Sequence, residues 1–305
     1  MHVRLLGTAA GGGFPQWNCQ CLNCDGVRRG AIRAQARTQS CVAISADGRR
    51  WFLLNASPDI RVQIESFAAL LPRGTVRGTA IQGILLTNAD LDHTLGLFTL
   101  REGGRLIVHA TSSVQRALDD GLRLTEVLAS YGGVDWRRPP LSLAPLVCAD
   151  GTPSGLSYAA FPVPGKLPRY REGRASSDSA DTVGYMFVEE TAGRRLVYVP
   201  GVAALDSEVL IRLQEADAVL VDGTFWSDDE MQLVSAGNSS ARIMGHLPVG
   251  PEDGSLATMA SLPASRKIYV HMNNTNPMLR DDSPERRLVE KAGAEVGWDG
   301  LEFTL

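Results

Sequence analysis

The stretch ILLTNADLDHTLGL, residues 84–97, sets Asn88, Asp90, Asp92 and His93 at intervals of two, two and one, directly after an apolar run. A buried strand ending near Thr87 would deliver these four side chains on the loop at its carboxyl end. Oxygen and imidazole donors crowded in this way suit a cation. The simpler reading of Asp90 or Asp92 is an N-cap to the helix that follows. Two other strand ends weigh against that reading alone: KIYVHMNNTNPM carries His271 to the end of an apolar strand, and AVLVDGTFW does the same for Asp222. Asp, His and His, or a second Asp, gathered from three strand ends make a plausible ligand set. His246 in MGHLPVG stands on a loop or helix start, as a substrate contact, an acid–base group or a structural histidine. His109, ending LIVHA, has no polar neighbours in sequence and reads as structural, while His2 is uninformative.

A second cluster, WNCQCLNC, puts Cys19, Cys21 and Cys24 within six residues. Three thiolates in one tight turn can share an ion, and in a reducing compartment such spacing favours metal over disulfides. Zinc in a structural role takes four ligands in a tetrahedron. The fourth must come from elsewhere: His271, His2, a residue near Asn274, or a group from a second subunit. Cys41 and Cys148 stand alone and read as small buried apolar side chains.

The elements that must position these residues are short β-like runs at 2–6, 42–45, 51–55, 83–87, 105–110, 182–189, 195–199, 218–222 and 267–271. Stretches of helical spacing lie among them, notably 205–216 and 283–293. The first half leans toward strands and turns, and the second alternates strand with helix. This pattern predicts an α/β protein, an αββα sandwich whose strand ends deliver ligands to a shared edge. No boundary splits the chain, so 1–305 reads as a single domain. Glycines 11 to 13 lack a phosphate-loop spacing and read as a sharp loop approaching a ligand or a neighbouring loop. The Pro-, Gly- and Ser-rich segment 162–182 reads as a surface connection or as a lid.

Composition narrows the functional classes. With 44% hydrophobic and 21% charged residues, and 30 basic against 34 acidic side chains, the chain is an ordinary globular sequence of formal charge −4. That argues against a nucleic-acid partner. No apolar run is long enough to span a membrane, and the N-terminus does not read as a signal peptide, so a cytoplasmic location is expected.

Taken together, the blocks LGTAAGGGFPQWNCQCLNC, LLNASPDIRVQI, LLTNADLDHTLGLFTLREG, VYVPGVA, LVDGTFW, MGHLPVG and HMNNTNPML resemble the metallo-β-lactamase superfamily. More closely, they resemble the pyrroloquinoline quinone biosynthesis protein B family, over nearly the whole chain. The resemblance implies a metallo-β-lactamase-like αββα fold and a structural Zn2+ on Cys19, Cys21 and Cys24. It also implies that Asn88 and Asp90 replace the first two histidines of the superfamily's His-x-His-x-Asp-His motif, while Asp92 and His93 are kept. His271 matches a further superfamily ligand, the bridging aspartate expected near VYVPGV is replaced by Pro200 or Gly201, and Asp222 partly compensates.

Dinuclear hydrolysis uses two ions about 3.5–4 Å apart, and the substitutions leave too few ligands for that. Asp92, His93 and His271 remain as two imidazoles and one carboxylate, the set typical of non-haem Fe(II) oxygenases. The expected active-site metal is therefore Fe2+, with Asn88, Asp90 and Asp222 as extra or exchangeable ligands and His246 assisting proton transfer. The implied reaction is hydroxylation of the tyrosine ring of a Glu-Tyr derived precursor of pyrroloquinoline quinone (PQQ). Lys166, Arg169 or Arg171 would pair with its carboxylates. A non-catalytic PQQ carrier and a single-zinc hydrolase are the alternatives. The cysteine loop is expected to brace a homodimer.

Overall fold

The computed structural model describes residues 1–74, 76–250 and 253–305. Strands β1 (His2–Gly7), β2 (Cys41–Ser45), β3 (Trp51–Leu54), β4 (Ile81–Leu85), β5 (Leu106–His109) and β6 (Val134–Arg137) belong to one sheet. The other comprises β7 (Ala144–Val147), β8 (Pro153–Pro162), β9 (Val183–Glu189), β10 (Arg195–Val199), β11 (Ala218–Asp222), β12 (Arg266–Val270) and β13 (Glu295–Val296). The last strand, β14 (Glu302–Thr304), returns to pair with β1 at the edge of the first sheet. Each sheet is antiparallel on one side and parallel on the other, with β3 to β6 and β10 to β13 forming the parallel runs. Parallel strands need crossovers, and helices such as Ser112–Leu122 and Ser207–Gln214 supply them on the outer faces.

The period of two along each strand sorts its side chains into layers. In β11, Ala218 and Leu220 face the core between the sheets, while Val219 and Val221 face the outer helices. Phe52 and Leu54 on β3 fill the same middle layer, and Leu53 lies in the outer core beneath the helix Ser112–Leu122. Truncating a fully buried ring such as Phe52 to Ala would cost about 3–5 kcal/mol. Two sheets packed face to face between outer helices make the αββα sandwich that the sequence pattern predicts. Among the described residues, no helix is long and apolar enough to cross a membrane.

The predicted strands are present within a few residues, and both predicted helices form, as Ser207–Gln214 and Pro284–Lys291. Five strands were not expected: β6, β7, β8, β13 and β14. The segment 162–182 is mostly irregular, with a single 3-10 turn at Arg169–Arg171.

Candidate metal centre

Three parallel strands converge at one edge of the sandwich. β4 leads through Leu86 and Thr87 into Asn88, and the short helix Leu91–Thr94 then carries Asp92 and His93. This turn is fixed from behind by Asn55, itself at φ 65°, whose Oδ1 accepts from Thr87 N at 2.9 Å. In the facing sheet, β11 ends at Asp222 and β12 at Val270, side by side in register. His271 follows at φ 59°, a left-handed conformation rare for a non-glycine residue and worth about 1–3 kcal/mol of strain.

The donor atoms of Asp92, His93 and His271 all lie within 4.8 Å of one another. His271 Nε2 stands 3.1 Å from Asp92 Oδ2, and His93 Nε2 stands 3.8 Å from the same oxygen. His93 is buried, and its Nε2 has no hydrogen-bond partner. Such an orphaned buried atom demands a reason, and the opposite nitrogen gives it. Asn88 Oδ1 accepts from the Asp90 backbone N–H at 3.1 Å, while Asn88 Nδ2 donates to Asp90 Oδ2 at 2.9 Å, which fixes the orientation of the carboxamide. His93 Nδ1 lies 2.7 Å from that oxygen and must donate to it. Its Nε2 therefore keeps a lone pair aimed into the cluster, as a metal-ligating imidazole requires.

Thr224 does the same for His271. Its hydroxyl lies 2.6 Å from Asp222 Oδ1 and 2.8 Å from His271 Nδ1. Donating to the carboxylate and accepting from the imidazole orients the His271 ring so that Nε2 faces the cluster, where it meets Asp92 Oδ2. Two imidazoles, each oriented by a partner behind it, together with one carboxylate fit a divalent cation.

Electrostatics agree. Burial holds the His93 imidazole down, to about 4. Asp92 is held well below the usual carboxylate range: burial opposes this, but the charge of His93 and the hydrogen bond and charge of His271 prevail. His271 is raised in turn, against burial, chiefly by Asp92 and then by Asp222 and Asp90. Burial and the neighbouring Asp92 push Asp90 up to about 6. The site is thus rich in negative charge, with the imidazole of His93 held down by burial.

Asp222, His246 and His271 form a second cluster sharing His271. Here Asp222 is occupied by donors: Val202 N at 3.0 Å, Thr224 N at 2.9 Å, the Thr224 hydroxyl, and His246 Nδ1 at 2.7 Å. The carboxylate orients His246, whose ring stacks on His271 with centroids 5.5 Å apart.

A Beta-lactamase superfamily domain model matches residues 50–272. Coenzyme PQQ synthesis protein B of Azoarcus sp. (strain BH72) is 45% identical over 309 residues, covering all of both chains. The chain belongs to the coenzyme PQQ synthesis protein B family. A crystal structure of Zn(2+)-bound PqqB from Methylobacterium extorquens, of the same family, superposes with a TM-score of 0.91 at 41% identity, covering both chains completely. Human tRNase Z, short form, matches at a TM-score of 0.59 and 16% identity, covering 100% of this chain and 99% of its own, and shares the fold alone.

In this member of the PQQ synthesis protein B family, the structure brings together Asp92, His93 and His271, with Asp222 and His246 alongside. Asn88 and Asp90, expected as extra or exchangeable ligands, are bonded to each other, and Asn88 also to His93. Arg171, predicted to face a substrate, pairs with Asp120 at 3.0 Å. Arg169 is exposed, and Lys166 pairs with Glu172 at 3.6 Å. Gly11 passes close to Asp92, where an added Cβ would stand 3.6 Å from Asp92 Cγ. Sequence reasoning missed Thr224, which lies two residues past Asp222 in an Asp-Gly-Thr turn that could have been recognised. It also missed Tyr170, whose hydroxyl donates to the Ala89 carbonyl at 2.8 Å and so pins the 162–182 segment over the metal loop.

The Sγ atoms of Cys19, Cys21 and Cys24 lie within 4.8 Å of one another. Burial pushes the Cys24 thiol up to about 12, so a cation is needed to keep three thiolates there. Cys41 and Cys148 are buried and unpaired in the core. His109 is buried against Tyr158, with Nδ1 2.8 Å from the phenol oxygen.

Proposed function

We propose that this chain acts in PQQ biosynthesis as a metal-dependent hydroxylase of the tyrosine ring in a Glu-Tyr derived precursor, with Fe2+ held by Asp92, His93 and His271. The observation that carries this reading is the orphaned His93 Nε2, set by Asn88 into a cluster of two imidazoles and one carboxylate. Asn88 stands where the superfamily's dinuclear hydrolases place a ligand, and its turn toward His93 supports a mononuclear site. Asp92, His93 and His271 would hold Fe2+, which would supply the binding and activation of O2. The ring C–H becomes C–OH with one oxygen atom of O2. The other leaves as water, using two protons and two electrons from an external reductant.

The protein's own groups orient the substrate and handle its proton. His246, with Nδ1 tied to Asp222, turns Nε2 away from that carboxylate and takes the phenol proton. Lys166 borders the same face, packing against Gly245 next to His246 with its charge acting on Asp90, and receives a substrate carboxylate. Cys19, Cys21 and Cys24 hold a structural Zn2+.

The test is anaerobic reconstitution with Fe2+, then addition of O2, a reductant and a Glu–Tyr compound, followed by mass spectrometry. The expected product carries one added oxygen atom and is lost in His93→Ala. Normal iron loading without product, together with tight PQQ binding, would make the chain a carrier. A second reading draws on the Zn(2+)-bound relative from Methylobacterium extorquens. A single-zinc hydrolase would form its product with zinc and without oxygen.

A further inference from the structure

The cysteine cluster and the metal centre share one short piece of chain. His271 directly follows the strand β12, and three residues later Asn274 turns its carboxamide into the three sulfurs. Asn274 Nδ2 lies 3.1 Å from Cys19 Sγ, 3.3 Å from Cys24 Sγ and 3.7 Å from Cys21 Sγ. Asn274 is buried, so this contact is part of the interior. The nitrogen and oxygen of a carboxamide exchange by rotation about its terminal bond, and the choice between them follows from the partner. Facing thiols the nitrogen donates; facing a cation held by thiolates the oxygen does. We propose that the ion on Cys19, Cys21 and Cys24 takes the Asn274 carboxamide oxygen as its fourth ligand and thereby clamps the segment carrying His271. The inference rests on Asp92, His93 and His271 being the metal centre.

Other contacts make the same segment a clamp. Asn23, between Cys21 and Cys24, donates from Nδ2 to the carbonyls of Asn274 at 3.1 Å and Asn276 at 2.9 Å. Asn276 reaches back to the Gly223 carbonyl at 2.9 Å, and Asn273 N donates to the Thr224 carbonyl at 3.0 Å. Thr224 is the residue that orients His271 Nδ1. The cysteine loop, residues 273–276 and the Asp222–Thr224 turn therefore form one connected block. His271 sits at its edge with φ 59°, a conformation that persists only while its surroundings impose it. Loosening the clamp frees His271 to relax and moves Nε2 away from Asp92.

The test uses the full-length protein with the cysteine site loaded with Zn2+ and the active site titrated with Co2+. Asn274→Ala is expected to weaken Co2+ binding about ten- to a hundredfold, as loss of an outer partner of a metal ligand does. Asn274→Asp keeps an oxygen donor and is expected to restore the affinity. Co2+ placed instead in the cysteine site is expected to change its thiolate absorption bands in Asn274→Ala and to regain oxygen-donor bands in Asn274→Asp. Unchanged active-site affinity in a folded Asn274→Ala protein overturns the clamp, as does a wild-type protein whose cysteines take up no Zn2+. If Asn274→Ala does not fold, wild-type protein compared with and without Zn2+ on the cysteines decides, and equal Co2+ affinity overturns the proposal. Clamped binding without hydroxylated product supports this inference while refuting the hydroxylase.

Discussion

Replacing Asn88 by leucine tests whether this residue works through His93. The two side chains have similar size, so packing is largely kept while the acceptor is lost. In the structure Asn88 Oδ1 receives His93 Nδ1–H at 2.7 Å. The next acceptor, Thr87 Oγ1, is 3.4 Å away, too far to replace it well. Leaving that buried donor unsatisfied costs about 1–3 kcal/mol. The ring recovers part of this by rotating, which takes Nε2 out of line with Asp92 and His271. Loss of a partner of this kind lowers metal affinity by about ten- to a hundredfold, which is about 1.4–2.8 kcal/mol. Two independent routes thus give the same scale. The assay is a competition titration of Fe2+ or Co2+ against a chelator near neutral pH, with circular dichroism to confirm folding. Asn88→Asp, which keeps an acceptor, is expected to bind at least as tightly as wild type. A folded Asn88→Leu protein with wild-type affinity would refute the orienting role and return Asn88 to the list of direct ligands or bystanders.

Two further outcomes are expected. Burial holds His109 down to about 4, below its unfolded value of about 6.5. Its contribution to stability is therefore complete above pH 6.5 and is lost as pH falls toward 4, by roughly 3 kcal/mol in all. His109→Phe should flatten that part of a denaturant-measured stability profile, and an unchanged acid limb would contradict it. Cys21→Ser should shift sedimentation toward the monomer if the cysteine loop braces a homodimer, and an unchanged profile counts against that contact.

The central strands were legible because each is a continuous apolar run bounded by polar turns, as in AVLVD and KIYVH. The strand β8 was not, because PSGLSYAAFP carries Gly155, two alanines and prolines at both ends, so neither alternation nor β-branched enrichment marks it. Its place comes from pairing with β7 and β9, a long-range term. The helix Ser112–Leu122 carries a local signal in its first residues: the Thr111 side chain caps it by accepting from Val114 N at 3.1 Å.

At the site, residue types and strand ends pointed to Asp92, His93 and His271. Their division of labour with Asn88 and Asp222 depended on distances. Whether a carboxamide or carboxylate meets an ion or an imidazole is decided by a few ångströms, and residue spacing does not carry that information. Asn274 stood in the sequence only as one neighbourhood among four for a missing ligand. Three sulfur contacts single it out.

Asp92 and His271 are separated by 179 positions and come from opposite sheets, yet their side chains meet at 3.1 Å. A ribosome has therefore delivered most of the chain before the third ligand exists, and the ion can be captured only by a molecule whose two sheets have already docked. Because it binds that state and not the unfolded chain, free metal at a hundred times its dissociation constant adds about 2.7 kcal/mol to the native state by mass action. Metal supply then bears on how long each copy persists folded in the cell.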